Sequence, residues 1–162
     1  MDKHWLPNPW PGRCFGCSPH NPYGLQLRFW RSEGGCSTQC VIPDHLCGWE
    51  GWAHGGVIAA LLDEIAAWSI IAQLGRFGIT GRLAIRYVKP VPIHTELLAR
   101  GQILQHSASF AEARSTIHSL AGELLASGES KWVLPKMADL EQITGLDAAT
   151  LQRFFDQLAT SP

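Results

Sequence analysis

The feature that most constrains the fold is a long apolar run from Val57 to Leu74, in which Asp63 and Glu64 are the only charged residues. Apolar side chains occupy every face of a helix formed by this run, so no face is suited to water. A charged pair at the centre of a membrane span would be costly, which argues against a transmembrane helix. The run therefore predicts a buried helix that other elements must surround.

Length and composition indicate a single globular domain over residues 1–162. Of the 162 residues, 46% are hydrophobic and 17% are charged, enough apolar material to offset the chain entropy lost on folding. Thirteen Lys and Arg oppose fourteen Asp and Glu, giving a net charge of −1 without a basic block. We therefore expect neither a nucleic-acid partner nor a membrane partner.

Strand patterns flank the predicted helix. Five prolines and three glycines make residues 1–24 an irregular lead-in. Before the helix, Leu25–Trp30 and Cys36–Ile42 predict a hairpin, followed by a loop over residues 43–53. After it, four strands are predicted over residues 82–87, Leu97–Leu104, Phe110–Ser119 and Leu124–Val133.

The tail predicts a second helix, within residues 140–160. Asp147 suits the N-cap, and the apolar residues that follow have the spacing of an amphipathic helix. The order β-β-α-β-β-β-β-α, with one helix apolar on all sides, predicts an α+β fold in which an antiparallel sheet curls around the central helix.

The central helix carries two candidate elements for chemistry. Asp63 and Glu64 lie about 100° apart around a helix, so they cannot share one environment, and we expect at most one to be functional. A salt bridge from Arg82 or Arg86 is the structural alternative. At the start of the helix, Gly55 and Gly56 would present unblocked backbone N–H groups to an oxygen that carries negative charge.

One copy of this helix cannot assemble both elements on one substrate. Eight residues separate Gly55 from Asp63, or about 12 Å of helix, too far for both to touch one small carbonyl group. Two antiparallel helices in a dimer would bring the start of one beside the middle of the other. The spacing therefore predicts an obligate dimer with two composite sites.

Two motifs resemble hotdog-fold acyl-CoA thioesterases of the PaaI and THEM4 type. They are H-G-G-V-I-A-A-L-L-D over residues 54–63 and T-G-R-L-A-I-R-Y-V-K-P over residues 80–90. The lead-in motifs C-F-G-C, residues 14–17, and N-P-Y-G-L, residues 21–25, are similar to the N-terminal segment of many members. The resemblance implies a hotdog fold, here with an extra C-terminal helix.

The same resemblance implies a role for each matching residue. Asp63 would be the nucleophile or the general base, and Gly55 would donate its backbone N–H to the developing oxyanion. His54 would orient or polarise the carbonyl, and Thr80 would hold the carboxylate or the attacking water. Glu64 receives no catalytic role.

The resemblance further implies an acyl-CoA or acyl-carrier substrate and a site between subunits. We expect substrate contacts from Gly56, Trp52 and Gly81, and a homodimer or a dimer of dimers. The chemistry requires no cofactor. Alternatives are an acyl-CoA-binding module without turnover, disfavoured by Asp63 together with Thr80, and a dehydratase or hydratase, disfavoured by two glycines after the histidine.

The cysteines leave a metal site as a further alternative. Cys14 and Cys17 form a C-x-x-C, and zinc ligands could be completed by Cys36, Cys40, Cys47 or His20. The second cysteine pair lacks the spacing of a zinc ribbon, so we assign no metal ligand. Five cysteines and a start without a signal-peptide core favour a reducing cytoplasm.

Overall fold

The structure, a computed structural model, describes residues 4–160. The strands are β1 (Phe29–Ser32), β2 (Gly35–Val41), β3 (Cys47–Trp49), β4 (Trp52–Ala53), β5 (Ile79–Tyr87), β6 (Glu96–His106), β7 (Phe110–Ser119) and β8 (Leu124–Val133). The helices are α1 (Gly55–Leu74), α2 (Met137–Thr144) and α3 (Ala148–Ala159), and a short 3-10 turn spans Asp44–Leu46.

A six-stranded antiparallel sheet curls around α1, which confirms the predicted hotdog fold. The strand order is β1-β2-β6-β7-β8-β5, while β3 and β4 form a separate two-stranded ribbon. By length and composition α1 could cross a membrane, but most of it is buried within the fold. Leu61, Leu62 and Ile65 are completely inaccessible to solvent, as the apolar run predicts.

The sheet approaches α1 closely at Gly101 of β6. A Cβ atom at this position would lie 2.3 Å from Ser69 Oγ and 2.5 Å from the Ile65 carbonyl oxygen. Ser69 Oγ also donates to the Ile65 carbonyl at 2.7 Å and accepts from the Cys36 backbone N–H at 3.1 Å. A side chain at residue 101 would therefore push the sheet off the helix.

The first strand is shorter than predicted. It begins at Phe29 instead of Leu25, because Gln26 has a φ of 48° and interrupts the extended backbone. The backbone N–H groups of Leu25 and Leu27 donate instead to the carbonyls of Phe15 and Gly16. The residues before β1 thus fix the C-x-x-C segment to the domain.

The C-terminal region contains two helices where we predicted one over residues 140–160. Gly145 ends α2 with a φ of 70°, a left-handed conformation that breaks the helix. The predicted N-cap is confirmed, since the Asp147 side chain accepts from the Thr150 backbone N–H at 2.7 Å. The ribbon of β3 and β4 lies in the segment predicted as loop.

Replacing Gly101 by alanine should destabilise the fold by about 1–3 kcal/mol, since the new methyl group overlaps the backbone of α1. Chemical denaturation measures the change. Gln102→Ala, at the exposed next residue of the same strand, is the control and should stay within about 0.5 kcal/mol of the wild type. Equal stability of Gly101→Ala and the control would contradict this account of helix–sheet packing.

Candidate active site

The structure brings Asp63 and Thr80 together. Thr80 Oγ1 donates a hydrogen bond of 2.8 Å to Asp63 Oδ1, joining the middle of α1 to the start of β5. Neither Asp63 nor Glu64 forms an ion pair with any residue between 4 and 160, so the salt-bridge alternative with Arg82 or Arg86 is wrong. Asp63 is held by a neutral donor and keeps its second oxygen for other partners.

A β-bulge at Gly81 puts Thr80 on the helix side of β5. Thr80 pairs with Trp132 and Arg82 pairs with Lys131, so Gly81 is the extra residue in β5. In regular alternation, Thr80 would face away from the side occupied by Leu83. The bulge restores it to that side, where it meets Asp63.

Burial is the main influence on the pKa of the Asp63 carboxyl group. Loss of water raises the pKa of its carboxyl group, the Thr80 hydrogen bond lowers the pKa in part, and the neighbouring Cys14 thiolate raises it again. The ionised form is therefore a stronger base than an exposed aspartate. That property suits a group that takes a proton or attacks a carbonyl.

The second predicted element lies at the start of α1. His54 is the N-cap, and its Nδ1 accepts the Gly56 backbone N–H at 2.9 Å. The Gly56 amide, expected to bind substrate, is thus occupied by the cap. The Gly55 N–H has no hydrogen-bond partner among residues 4–160 and points from the positive end of the helix dipole.

Tyr87 is a site residue that the sequence reasoning did not identify. Its hydroxyl donates to the Gly55 carbonyl oxygen at 3.0 Å, bracing the first turn of α1 from the end of β5. The signal was present in the alternation of Leu83, Ile85 and Tyr87, which places all three on the helix side of the strand.

An open groove of ≈ 740 Å³ adjoins this helix start. Its lining includes Trp49, Trp52, His54, Gly55 and Lys89. Trp52 therefore lies where we expect substrate, whereas Gly81 does not line this groove. The structure thus has two separate elements along α1: Asp63 with Thr80, and Gly55 with its groove.

Glu64 lies in a different environment from Asp63, as the 100° separation predicts. Both of its carboxylate oxygens lie 3.6 Å from Cys14 Sγ, and Trp68 Nε1 donates to Oε1 at 3.3 Å. Burial and the neighbouring Cys14 raise the pKa of Glu64 to about 7. A hydrogen bond from the Cys17 thiol lowers the pKa of Cys14 to about 5. The same contact and burial raise the pKa of the Cys17 thiol.

Comparison with known proteins relates the stretch that contains this site to thioesterases. A family model described as the thioesterase superfamily matches residues 50–126, the stretch that contains α1 and β5. A search of curated proteins finds no match. The resemblance to hotdog-fold thioesterases predicted from the motifs is confirmed by the family match and by solved structures.

Three solved structures illustrate the likeness. A thioesterase superfamily protein is 26% identical with a TM-score of 0.65, and the match covers 71% of this chain but only 57% of the other. Zebra fish thioesterase superfamily member 2 is 23% identical, with a TM-score of 0.62 and coverage of 67% and 81%. A hypothetical thioesterase from Streptococcus pneumoniae with coenzyme A is 21% identical, with a TM-score of 0.59 and coverage of 62% and 81%.

The bracing of the helix start predicts a difference between the two tyrosines of the chain. Tyr87→Phe removes a hydrogen bond to Gly55 and should lower the free energy of unfolding by about 1 kcal/mol. Tyr23→Phe removes an exposed hydroxyl that has no hydrogen-bond partner in the described chain, and should be neutral. Equal denaturation midpoints and slopes for the two variants would contradict the bracing role.

Proposed function

We propose that the protein hydrolyses acyl-CoA or acyl-carrier thioesters to a free acid and a thiol. The observation that carries the proposal is the Asp63 carboxylate, half-buried, ordered by Thr80 and without a cationic partner among the described residues. Because no cationic side chain among those residues neutralises this carboxylate, it is suited to attack on a carbonyl carbon or to activation of water.

Either route uses the same residues and balances. As a base, Asp63 takes a proton from water while the resulting hydroxide adds to the thioester carbonyl. As a nucleophile, Asp63 adds to that carbon itself, expels the thiolate and forms an anhydride that water then hydrolyses. In both routes the C–S bond breaks, the thiolate leaves and acquires a proton, and the acyl group departs as an acid.

The Gly55 amide supplies the complementary charge. As the carbonyl oxygen becomes negative, an unoccupied N–H at the positive end of α1 stabilises it. A donor of this kind is worth about 3 kcal/mol of barrier. We place His54 beside it as the cap that fixes the geometry of the first turn, with its ring available to orient the carbonyl.

A homodimer would complete the site. The outer edge of β5 is unpaired among the described strands, and the same side of α1 presents small, incompletely buried residues: Gly56, Ala59 and Ala60. Edge strands of this kind pair readily with a second copy, and small side chains let helices approach closely. We propose antiparallel α1 helices that set Gly55 of one subunit opposite Asp63 of the other, in a homodimer or in a dimer of dimers built from it.

The groove at the start of α1 is the proposed route for the carrier. Trp52 and Gly55 line it, and Gly81 shapes the strand that holds Thr80. The fold neighbour from Streptococcus pneumoniae contains coenzyme A, which supports a CoA carrier here. All five cysteines are free, which supports the proposed cytoplasmic location.

Asp63→Asn tests the acid while keeping its shape. We expect turnover of a panel of short, medium, long and aromatic acyl-CoAs to fall at least about 100-fold, measured by release of free thiol. Asp156→Asn, on the exposed side of α3, is the control and should keep full activity. Tight binding of acyl-CoA by the wild type with no thiol release would instead identify a binding module.

Gly55 tests the oxyanion donor through a matched pair of variants. Proline is tolerated at the first position of a helix, and His54 before it already has an extended backbone, with φ −64° and ψ 138°. Gly55→Pro deletes the N–H and should lower kcat about 100- to 1,000-fold.

Gly55→Ala keeps the N–H, and its Cβ would lie 3.7 Å from the Tyr87 hydroxyl, an ordinary contact. We expect that variant to stay within a few-fold of wild-type kcat. Similar activities for the two variants would rule out the Gly55 amide as the oxyanion donor.

A further inference from the structure

We propose that Cys14, Cys17 and Glu64 bind a single zinc ion that fastens the lead-in to α1. Their ligand atoms lie within 4.8 Å of one another, the one such group of three found in the described part of the chain. Cys36 and Cys40 lie on β2 and Cys47 on β3, outside this group. The site therefore pairs the C-x-x-C with a carboxylate instead of with the other cysteines or His20.

The distance between Cys14 and Glu64 matches that of two ligands in a tetrahedral zinc site. Zinc bonds of about 2.3 Å to sulfur and about 2.1 Å to oxygen, at a tetrahedral angle, place the two ligand atoms about 3.6 Å apart. Cys14 Sγ lies 3.6 Å from each oxygen of Glu64. Cys14 and Glu64 are thus already at ligand spacing, and the Cys17 sulfur lies within 4.8 Å of both.

The surrounding groups hold these ligands in place. The Gly16 backbone N–H donates to Cys14 Sγ at 3.3 Å, and Trp68 Nε1 orients the Glu64 carboxylate. The Asn8 side chain donates to the Cys17 carbonyl at 2.8 Å, fixing the turn. Hydrogen bonds to ligating groups and their backbone are the usual support of a metal site.

Gly16 shows that the turn is fitted around the carboxylate. A Cβ at this residue would lie 2.4 Å from the carboxyl carbon of Glu64 and 2.5 Å from Oε2. Only a glycine between the two cysteines lets the turn approach Glu64 this closely. The segment is therefore shaped to bring two sulfur atoms to one carboxylate.

Charge and ligand type select zinc. With both thiols deprotonated, the three ligands carry a charge of −3, and no Lys, Arg or His among the described residues forms an ion pair with Glu64. Thiolates favour zinc over magnesium or calcium. A cavity of ≈ 290 Å³, lined by the same three residues and by Trp68 and Phe77, leaves the fourth position for water.

Metal content of the reduced protein tests the site independently of thioesterase activity. We expect wild-type protein purified without chelator to hold about one zinc per chain. After removal of zinc under reducing, oxygen-free conditions, Co²⁺ should give sulfur-to-cobalt charge-transfer bands and the intense visible bands of a tetrahedral ion. A reduced protein that takes up neither zinc nor cobalt overturns the proposal.

Two variants separate the ligands, and one controls for loss of any cysteine. Cys17→Ser should abolish the charge-transfer bands or weaken cobalt affinity more than tenfold, and Glu64→Gln should weaken affinity at least tenfold while leaving the fold intact by circular dichroism. Cys47→Ser, which removes an exposed cysteine outside the group, should bind as the wild type does. Wild-type affinity in Glu64→Gln would overturn the three-ligand site.

Discussion

The structure depends on covering α1, a helix that has no polar face. Strands β2, β6, β7 and β8 pack around it, and the close approach at Gly101 brings the sheet against its backbone. Asp63 lies toward β5, the strand at the sheet edge, whereas Glu64 lies against the lead-in segment that carries Cys14. Asp63 thus occupies the side of the helix that a second subunit can reach, and Glu64 occupies the side that the lead-in covers.

The two carboxyl groups of α1 have different hydrogen-bond partners, and each set of partners suits a different chemical role. Asp63 is held by one hydroxyl and keeps a free oxygen, which suits a reacting group. Glu64 is enclosed by two cysteines and a tryptophan N–H, which suits a ligand of a cation. Adjacent residues on one helix can therefore serve turnover and attachment of the lead-in without sharing an environment.

Much of the fold followed from pattern alone. The all-round apolar helix required a surrounding sheet, and the alternation after Gly78 located β6, β7 and β8 closely. The start of β1 could not be predicted, because the backbone turn at Gln26 leaves no trace in the alternation of Leu25 and Leu27. The break in the tail at Gly145 is marked in the sequence only by a glycine, although the predicted N-cap at Asp147 is where α3 begins.

The site was predictable where a motif fixed it and not where long-range packing did. The resemblance to thioesterase motifs pointed to His54, Gly55, Asp63 and Thr80, but the bulge that turns Thr80 toward Asp63 is a property of pairing with β8. The contact of Glu64 with Cys14 joins residues 50 positions apart, so local spacing could not reveal it. The alternation of β5 put Tyr87 on the helix side, but its partner is the Gly55 backbone carbonyl, which the alternation does not specify.

The central claim is that each active site takes Gly55 from one subunit and Asp63 from the other. Mixing the inactive Asp63→Asn and Gly55→Pro proteins under conditions that exchange subunits tests it directly. Half of the randomly formed dimers would be mixed and would contain one intact site of two, so about one quarter of wild-type activity should return. Continued inactivity of a mixture shown to contain mixed dimers would contradict the account, because each site would then lie within one chain.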